Sequence, residues 1–305
     1  MRVRYENSLV KFRISYLLEY IFLITFFMIL KIIPLKILFK ISKPFGILLF
    51  KIFKNYAKIC RTNLQNSFPE KSKEEIEKLS KNVFINLVLI LFEFVHIKEL
   101  SNIEYVKKNI NLINFEKLYE ELKQNKGIII ITSHLGNWEL EGAVTCSLGI
   151  PLNAVYFQQN NFLADSFFNK IRKKAGIKLI NKKFVFRRTL EALKSNELVA
   201  FLSDQDAGKN GIFVDFFGRP ASTAKGPIYF AIKTKTPVFL SHFIRLNDGK
   251  YDFILEKIEL TITGNIDEDI YKNTVLWTKR LEDMIRKYPE QWFWVHKRWK
   301  TKEII

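Results

Sequence analysis

A histidine and a carboxylate stand five residues apart in Gly127-Ile-Ile-Ile-Ile-Thr-Ser-His134-Leu-Gly136-Asn-Trp-Glu139, a spacing that suits general-base chemistry if the chain breaks between them. On one continuous helix they would point about 140° apart at roughly 3.6 residues per turn. Gly136-Asn137 supplies the break, so His134 lies outside the following helix and Glu139 in its first turn, from which the carboxylate can reach back to one imidazole nitrogen. Such a pair makes a base: the carboxylate fixes the tautomer and stabilises the imidazolium while the other nitrogen takes a proton. The competing reading is a surface histidine that follows a strand. A second loaded segment, Leu198-Val-Ala-Phe-Leu-Ser-Asp204-Gln205-Asp206, also ends an apolar run in carboxylates, and two such ends suggest one shared site.

The elements that must position these groups read as an α/β layered fold. Four consecutive isoleucines predict a strand buried on both faces, with His134 at its carboxyl end, where open α/β sheets bind ligands. Strands are expected at 127–133, 152–158, 177–181, 198–203, 237–245 and 251–259, and helices near 137–148, 162–175, 187–195, 223–235 and 267–287. The alternation implies a mostly parallel central sheet flanked by helices, mixed because the short turn Asn247-Asp248-Gly249 joins the last two strands. Before it, Ser72-Lys-Glu-Glu75 resembles a capping box, Val83 to Val95 reads as a helix carrying Glu93, which must be paired or face a cleft, and 101–126 reads as a polar segment.

Phe213 to Ala221 is an aromatic run closed by a tight turn, which either lines an apolar pocket or packs. The helix expected to begin near Ser222-Thr223 offers free backbone donors to an anion or oxyanion. Pro289 to Lys300 combines three tryptophans with basic residues, which suits a lipid headgroup region or a lid closing over the core.

A net charge of +18 over 305 residues implies an anionic partner, and nucleic acid, an acidic carrier protein and anionic lipid all qualify. The two cysteines, Cys60 and Cys146, form no metal-type spacing and suggest no disulfide scaffold. Tyr20 to Leu30 is an uncharged apolar run too short to span a hydrocarbon core of about 20 residues; extension back to Ile14 brings it closer to that length and includes Glu19. From Pro34 to Lys54, Lys36, Lys40, Lys43, Lys51 and Lys54 fall in one narrow arc, with Pro44 and Gly46 expected to split the segment into two short helices. An apolar body with a lysine stripe suits an anionic membrane interface, so residues 1–60 read as membrane-binding helices; the competing reading is an amphipathic helix packed on the core. No small-residue cleavage site follows the apolar run, so no cleaved signal peptide is expected.

Several chemistries lack their motifs. The chain has no Gly-x-Ser-x-Gly elbow and no His-Glu-x-x-His, His96, His242 and His296 form no ligand spacing, and no phosphate-binding glycine loop follows a strand. What remains is a histidine base without an enzyme nucleophile, which fits direct transfer to a bound substrate hydroxyl.

Ordered blocks along the chain resemble the bacterial lipid A biosynthesis acyltransferase family, the lauroyl and myristoyl transferases related to the glycerolipid acyltransferases. They are Arg61-x-Asn63-Leu64 with Phe68-Pro69, Glu93, His134 to Glu139, Asp204-Gln205-Asp206, Phe216-Phe217-Gly218-x-Pro220-Ala221, Thr234-x-Thr236-Pro237-Val238 and Pro289 to Lys300. The resemblance implies an acyltransferase domain over 61–305, with His134, assisted by Glu139, deprotonating a hydroxyl of an acceptor glycolipid that attacks an acyl thioester. Substrate contacts are expected at Asn137, Asp204, Gln205, Asp206, Gly218, Arg219 and Pro220, with oxyanion donors among backbone amides near Gly218. Acyl carrier protein or acyl-CoA would be the donor, no cofactor or metal is expected, and no nucleic acid. The setting would be the cytoplasmic face of the bacterial inner membrane.

Two positions depart from the family. Phe157-Gln158-Gln159 stands where relatives often have an aromatic-Arg-Pro triplet, and Asn196 stands where glycine is frequent. Asparagine tolerates the left-handed turn conformation, so no functional change is expected there, whereas the lost arginine removes a fixed cation that could hold a phosphate or carbonyl. A different phospholipid or mannolipid acceptor is therefore the alternative enzyme reading, and a non-catalytic basic protein binding membrane surfaces or nucleic acid is the alternative of another class.

Overall fold

The computed structural model describes residues 2–5, 8–11 and 13–303. Strands β1 (Arg2–Tyr5) and β2 (Ser8–Lys11) pair antiparallel ahead of helices α1 (Ile14–Ile32), α2 (Leu35–Ile52) and α3 (Lys54–Ser67). Helix α1 is long and apolar enough to cross a membrane, and only 11% of it is buried. The five lysines of the stripe are exposed, interleaved with exposed Ile37, Ile41, Leu48 and Ile52. Contrary to the expected break, α2 is one helix with Pro44 inside it. Interior proline costs about 3 kcal/mol; here the helix is held against its neighbour α4 (Lys73–Val95), and a Cβ on Gly46 would fall 2.6 Å from the Ile85 Cα. Gly46 is therefore a contact residue rather than a breaker.

The expected capping box starts α4: Ser72 Oγ accepts from the Glu75 amide at 3.2 Å, and Glu75 Oε2 accepts from the Ser72 amide at 2.8 Å. Short helices α5 (Ile97–Leu100) and α6 (Ile103–Asn109), strand β3 (Ile110–Ile113) and helix α7 (Phe115–Leu122) follow. The segment read as merely polar thus contributes an edge strand. Its four residues alternate too briefly, with two exposed, to stand out from the surrounding lysines and asparagines.

The alternating elements come next in the expected order: β4 (Ile128–Thr132), α8 (Trp138–Ser147), β5 (Leu152–Tyr156), α9 (Phe162–Lys174), β6 (Lys178–Asn181), α10 (Val185–Lys194) and β7 (Leu198–Leu202). A hairpin of β8 (Ile212–Phe216) and β9 (Arg219–Thr223) leads to α11 (Gly226–Thr234), β10 (Val238–Arg245), β11 (Tyr251–Ile258) and α12 (Ile266–Lys287). The main sheet has the order β3-β11-β10-β4-β7-β5-β6; β10 and β11 are antiparallel, and the other neighbours are parallel. Alternate residues of its strands feed two cores, one beneath α8 with Ile128, Ile130 and Ala200, the other with Ile129, Ile131 and Phe201.

Ser222 and Thr223 belong to β9, not to a helix, which starts only at Gly226. Buried Arg298 explains the extended ending: its guanidinium donates to the Ser222 carbonyl and Thr223 Oγ1, both at 2.5 Å. Asn196 takes the left-handed conformation expected of it, at φ 57°, and its Oδ1 accepts from the Gly127 amide at 3.1 Å just before β4.

Candidate active site

Thr132 and Leu202 are register partners on the adjacent parallel strands β4 and β7, so the residues just beyond them emerge side by side. The His134 Nδ1 lies 2.8 Å from Asp204 Oδ1, and the His134 amide donates to Oδ2 at 2.9 Å. The Trp292 indole donates to the same oxygen at 2.8 Å. Burial by itself raises the Asp204 carboxyl, but the charge and hydrogen bonds of His134 with the bond from Trp292 outweigh it, so the group sits below the ordinary aspartate value. An ionised carboxylate only accepts, so Nδ1 carries a proton, and in the neutral imidazole Nε2 is the acceptor. Gln205 Nε2 approaches that nitrogen at 3.3 Å. The imidazole is flanked by Trp138 and Phe293, with ring centroids 4.8 and 5.6 Å away.

Glu139 does not meet His134. It lies in the first turn of α8 as expected, but Arg172 of α9 takes its carboxylate in a two-point contact, Nε to Oε2 at 2.9 Å and Nη2 to Oε1 at 2.5 Å. The break at Gly136 does set His134 outside the helix, but a guanidinium arriving from another helix takes the carboxylate instead. Burial would lower Arg172, and the Glu139 carboxylate more than restores it. The sequence does carry a signal for Arg172: it is the single arginine between Arg61 and Arg187 in a lysine-rich chain. Planar two-point contacts select arginine over lysine.

The loop bearing His134 is locked from behind. Gly136 has φ +70°, and a Cβ there would lie 1.8 Å from the Phe243 carbonyl oxygen. Its amide donates to the Gln291 carbonyl at 3.0 Å, and the Phe293 amide donates to the His134 carbonyl at 3.1 Å. Asn137, fully buried, caps α8 by accepting from the Leu140 amide at 2.9 Å and donates to Glu93 Oε2 at 2.5 Å. Glu93 is paired rather than facing a cleft: Arg245 grips both its oxygens at 2.7 and 2.5 Å, and the Tyr251 hydroxyl donates to Oε1 at 2.6 Å. A buried network therefore fixes the start of α8, and the C-terminal segment straps the histidine loop.

A cavity of about 870 Å³ opens at His134. Around its mouth stand Trp138, Glu139, Arg172, Gln205, Asp206, Lys182, Lys225, His296 and Lys300; its depth is lined by apolar residues of β4, β5, β7 and β11. Phe157 and Gln159 also line it, and Lys182 Nζ sits 4.1 Å from the Phe157 ring centroid, so a cation is present at the rim beside the departing Phe157-Gln158-Gln159 triplet. Among the described residues, no group of three or more His, Cys, Asp or Glu side chains is placed to share a metal ion.

Residues 9–301 match the family of bacterial lipid A biosynthesis acyltransferases. The chain belongs to this family. It is similar to the lipid A biosynthesis acyltransferase of Haemophilus influenzae, 24% identical over 92% of this chain and 87% of the relative. It is 27% identical to the lipid A biosynthesis palmitoleoyltransferase of Escherichia coli over 89% of this chain and 88% of that one. The phosphatidylinositol mannoside acyltransferase of Mycolicibacterium smegmatis is 22% identical over 63% of each chain. The protein is accordingly an acyltransferase.

In this acyltransferase the remaining residues expected to contact substrate divide. Gln205 and Asp206 line the cavity, and Asp204 lies directly behind His134. The Asp206 amide donates to His296 Nε2 at 3.3 Å, and its carboxylate accepts from Thr301 Oγ1 at 2.9 Å. Asn137 is sealed in the Glu93 network, outside the cavity lining. Gly218, Arg219 and Pro220 are not in the lining either; they form the turn and first strand residues after β8. The Gly218 amide donates to Asp215 at 3.2 Å, so it is not an open oxyanion donor, and Arg219 stacks on Trp299 at 3.6 Å. The aromatic run packs: Phe216 and Phe217 meet Trp292, Trp294 and Phe68 in edge contacts. All three C-terminal tryptophans are buried, which makes that segment a closure of the core.

Proposed function

We propose that the enzyme transfers a fatty acyl chain from a thioester, carried by acyl carrier protein or CoA, to a hydroxyl of a lipid A precursor or similar glycolipid. The observation that carries this reading is the His134 imidazole held through Nδ1 by Asp204, with Nε2 turned toward Gln205 at the mouth of a deep apolar cavity. The acceptor hydroxyl replaces Gln205 at Nε2 and gives up its proton as its oxygen bonds to the thioester carbonyl carbon. The tetrahedral oxyanion then collapses, the C–S bond breaks, and the imidazolium returns the proton to the departing thiolate. Asp204 stabilises the imidazolium through this cycle. No covalent acyl-enzyme is formed.

Glu139, the assistant expected from sequence, acts in this scheme by fixing Arg172 at the mouth, where a cation faces incoming phosphate or carbonyl oxygen. Residues 1–60 serve as the membrane-binding region and 61–305 as the acyltransferase domain, at the cytoplasmic face of the inner membrane. The exposed apolar face of α1, with Ile14, Leu18, Phe22 and Ile32, supports this. So does the contact of its first turns with the start of α9, two residues past the lining residue Gln159: Asn161 donates to the Tyr16 carbonyl at 3.1 Å and to Glu19 Oε2 at 2.8 Å. A mannosylated phospholipid is the second acceptor reading, favoured by the mycobacterial relative and by the Phe157-Gln158-Gln159 departure.

The test is acyl transfer by the purified protein to a lipid A precursor and, separately, to a phosphatidylinositol mannoside, with products read by mass spectrometry. His134→Ala is expected to abolish product formation with the acceptor used. Undiminished transfer by that variant would overturn the mechanism, and transfer only to the mannolipid would replace the acceptor.

A further inference from the structure

Beneath α8 the deep part of the cavity is apolar except at one place. On the β7 side it is walled by Leu152, Leu198 and Ala200, and on the β11 side by Leu118, Phe253 and Leu255. Between them, over the boundary of β4 and β10, sits the carboxyl of Glu141, also part of the lining. Thr132 Oγ1 donates to its Oε2 at 2.9 Å and Ser241 Oγ to its Oε1 at 2.5 Å. No described cation contacts it, and burial drives it toward the neutral form, with its pKa pushed up to about 7. Both hydroxyl partners spend their protons on the carboxyl. In the neutral state three protons share these two contacts, so one of them, whichever group carries it, has no acceptor among the described residues, and in the ionised state the charge has no counterion.

A hydroxyl entering the cavity completes either state, since it both donates and accepts. An unsubstituted alkyl chain completes neither. Thr132, which holds this polar point, precedes His134 by two residues, and their Cα atoms lie at most about 7 Å apart. That places it alongside the first several carbons of a chain whose thioester carbonyl lies at His134.

We propose that Thr132, Glu141 and Ser241 form a binding site for a hydroxyl group on the acyl chain, so that the enzyme selects hydroxylated acyl thioesters over unsubstituted ones of the same length. The inference rests on the acyl-transfer reading above. Glu141 is a specificity-determining residue here; the reaction's proton transfers belong to His134.

The experiment is a competition on the full-length protein, with a lipid A precursor as acceptor. Equal amounts of an unsubstituted acyl thioester and its 2-, 3- or mid-chain hydroxy isomer are supplied, and the products, one oxygen apart in mass, are counted by mass spectrometry. The wild type is expected to favour at least one hydroxy isomer by about 10- to 100-fold, the worth of a hydrogen bond to a charged or otherwise unsatisfied group. Glu141→Leu is expected to bring that ratio to one or below, and Ser241→Ala, a milder change, to lower it. Glu141→Gln, which still accepts and donates, is expected to keep it. The proposal is overturned if the wild type prefers the unsubstituted chain against every isomer. It is equally overturned if the preference survives in folded Glu141→Leu or Ser241→Ala, which would make the cluster a clamp between α8 and the sheet. Transfer without discrimination sinks this inference alone, whereas absence of transfer from every thioester sinks the acyl-transfer reading with it.

Discussion

His134 Nδ1 and Asp204 Oδ1 lie 2.8 Å apart although 70 residues separate them. The contact exists because β4 and β7 pair in parallel from Ile128–Leu198 to Thr132–Leu202 and the ladder continues one step further, the Ser203 amide donating to the Thr132 carbonyl at 3.1 Å. Asp204→Asn keeps the shape and removes the charge that holds the tautomer. It is expected to lower kcat by about 10²- to 10⁴-fold with little change in KM. Steady-state kinetics beside a thermal melt separates this from simple unfolding.

Glu139→Gln is expected to behave differently. It leaves Arg172 partly buried without its carboxylate, so both Glu139→Gln and Arg172→Met lose stability, each by somewhat less than the roughly 3–5 kcal/mol of a fully buried pair. The double variant is expected to cost less than the sum, with a coupling of about 0.5–3 kcal/mol in denaturant unfolding. Additive losses would mean that the two side chains do not act as a unit.

These two pairs mark what sequence alone makes legible. The buried strand, the turn at Gly136, the histidine at the strand end and a second loaded end at Asp204 all follow from local pattern, because hydrophobic runs and glycine breaks are local properties. Which carboxylate faces the imidazole is set by strand order, and β7 reaches β4 only after the chain has passed through β5 and β6. The same limit hid the roles of Arg172 and Trp292, which arrive from other elements. Pro44 and Ser222-Thr223 failed for the opposite reason. Their local signals are real, but the packing of α2 on α4 at Gly46 and the grip of Arg298 on the end of β9 override them.

Gly136→Ala tests the loop itself. A methyl group would strike the Phe243 carbonyl oxygen, and φ +70° is strained for any residue with a Cβ. The loop cannot yield without losing the Gly136 and Phe293 hydrogen bonds that seat His134. The variant is expected to lose at least about 3 kcal/mol in denaturant unfolding and to lose activity even where it remains folded.

Glu141 gives a pH signature. Its folded-state value of about 7 stands above the ordinary 4.5, so the folded protein holds this proton more tightly than the unfolded chain. The contribution is fully present below about pH 4.5, is lost as pH rises through about 7, and flattens above that. Glu141→Gln carries no such dependence. Relative to wild type it is therefore expected to gain stability between pH 4.5 and 8, by on the order of 3 kcal/mol. Parallel denaturant curves across that range, showing a constant difference instead, would mean that Glu141 has no raised value.

The membrane reading of the N-terminal region has its own quantitative consequence. Lys36, Lys40 and Lys43 are exposed on α2 beside exposed Ile37 and Ile41, so a charged stripe adjoins exposed apolar surface. A lysine near an anionic bilayer is worth about 1 kcal/mol, and three together about 100-fold in affinity. Replacing all three with glutamine is expected to weaken binding to anionic vesicles by about that factor in flotation assays at low salt, with less effect on neutral vesicles. The difference should shrink as added salt shortens the screening length. If the triple variant binds anionic vesicles as the wild type does, the lysine stripe is a solvated face and the apolar surface of α1 must carry the attachment.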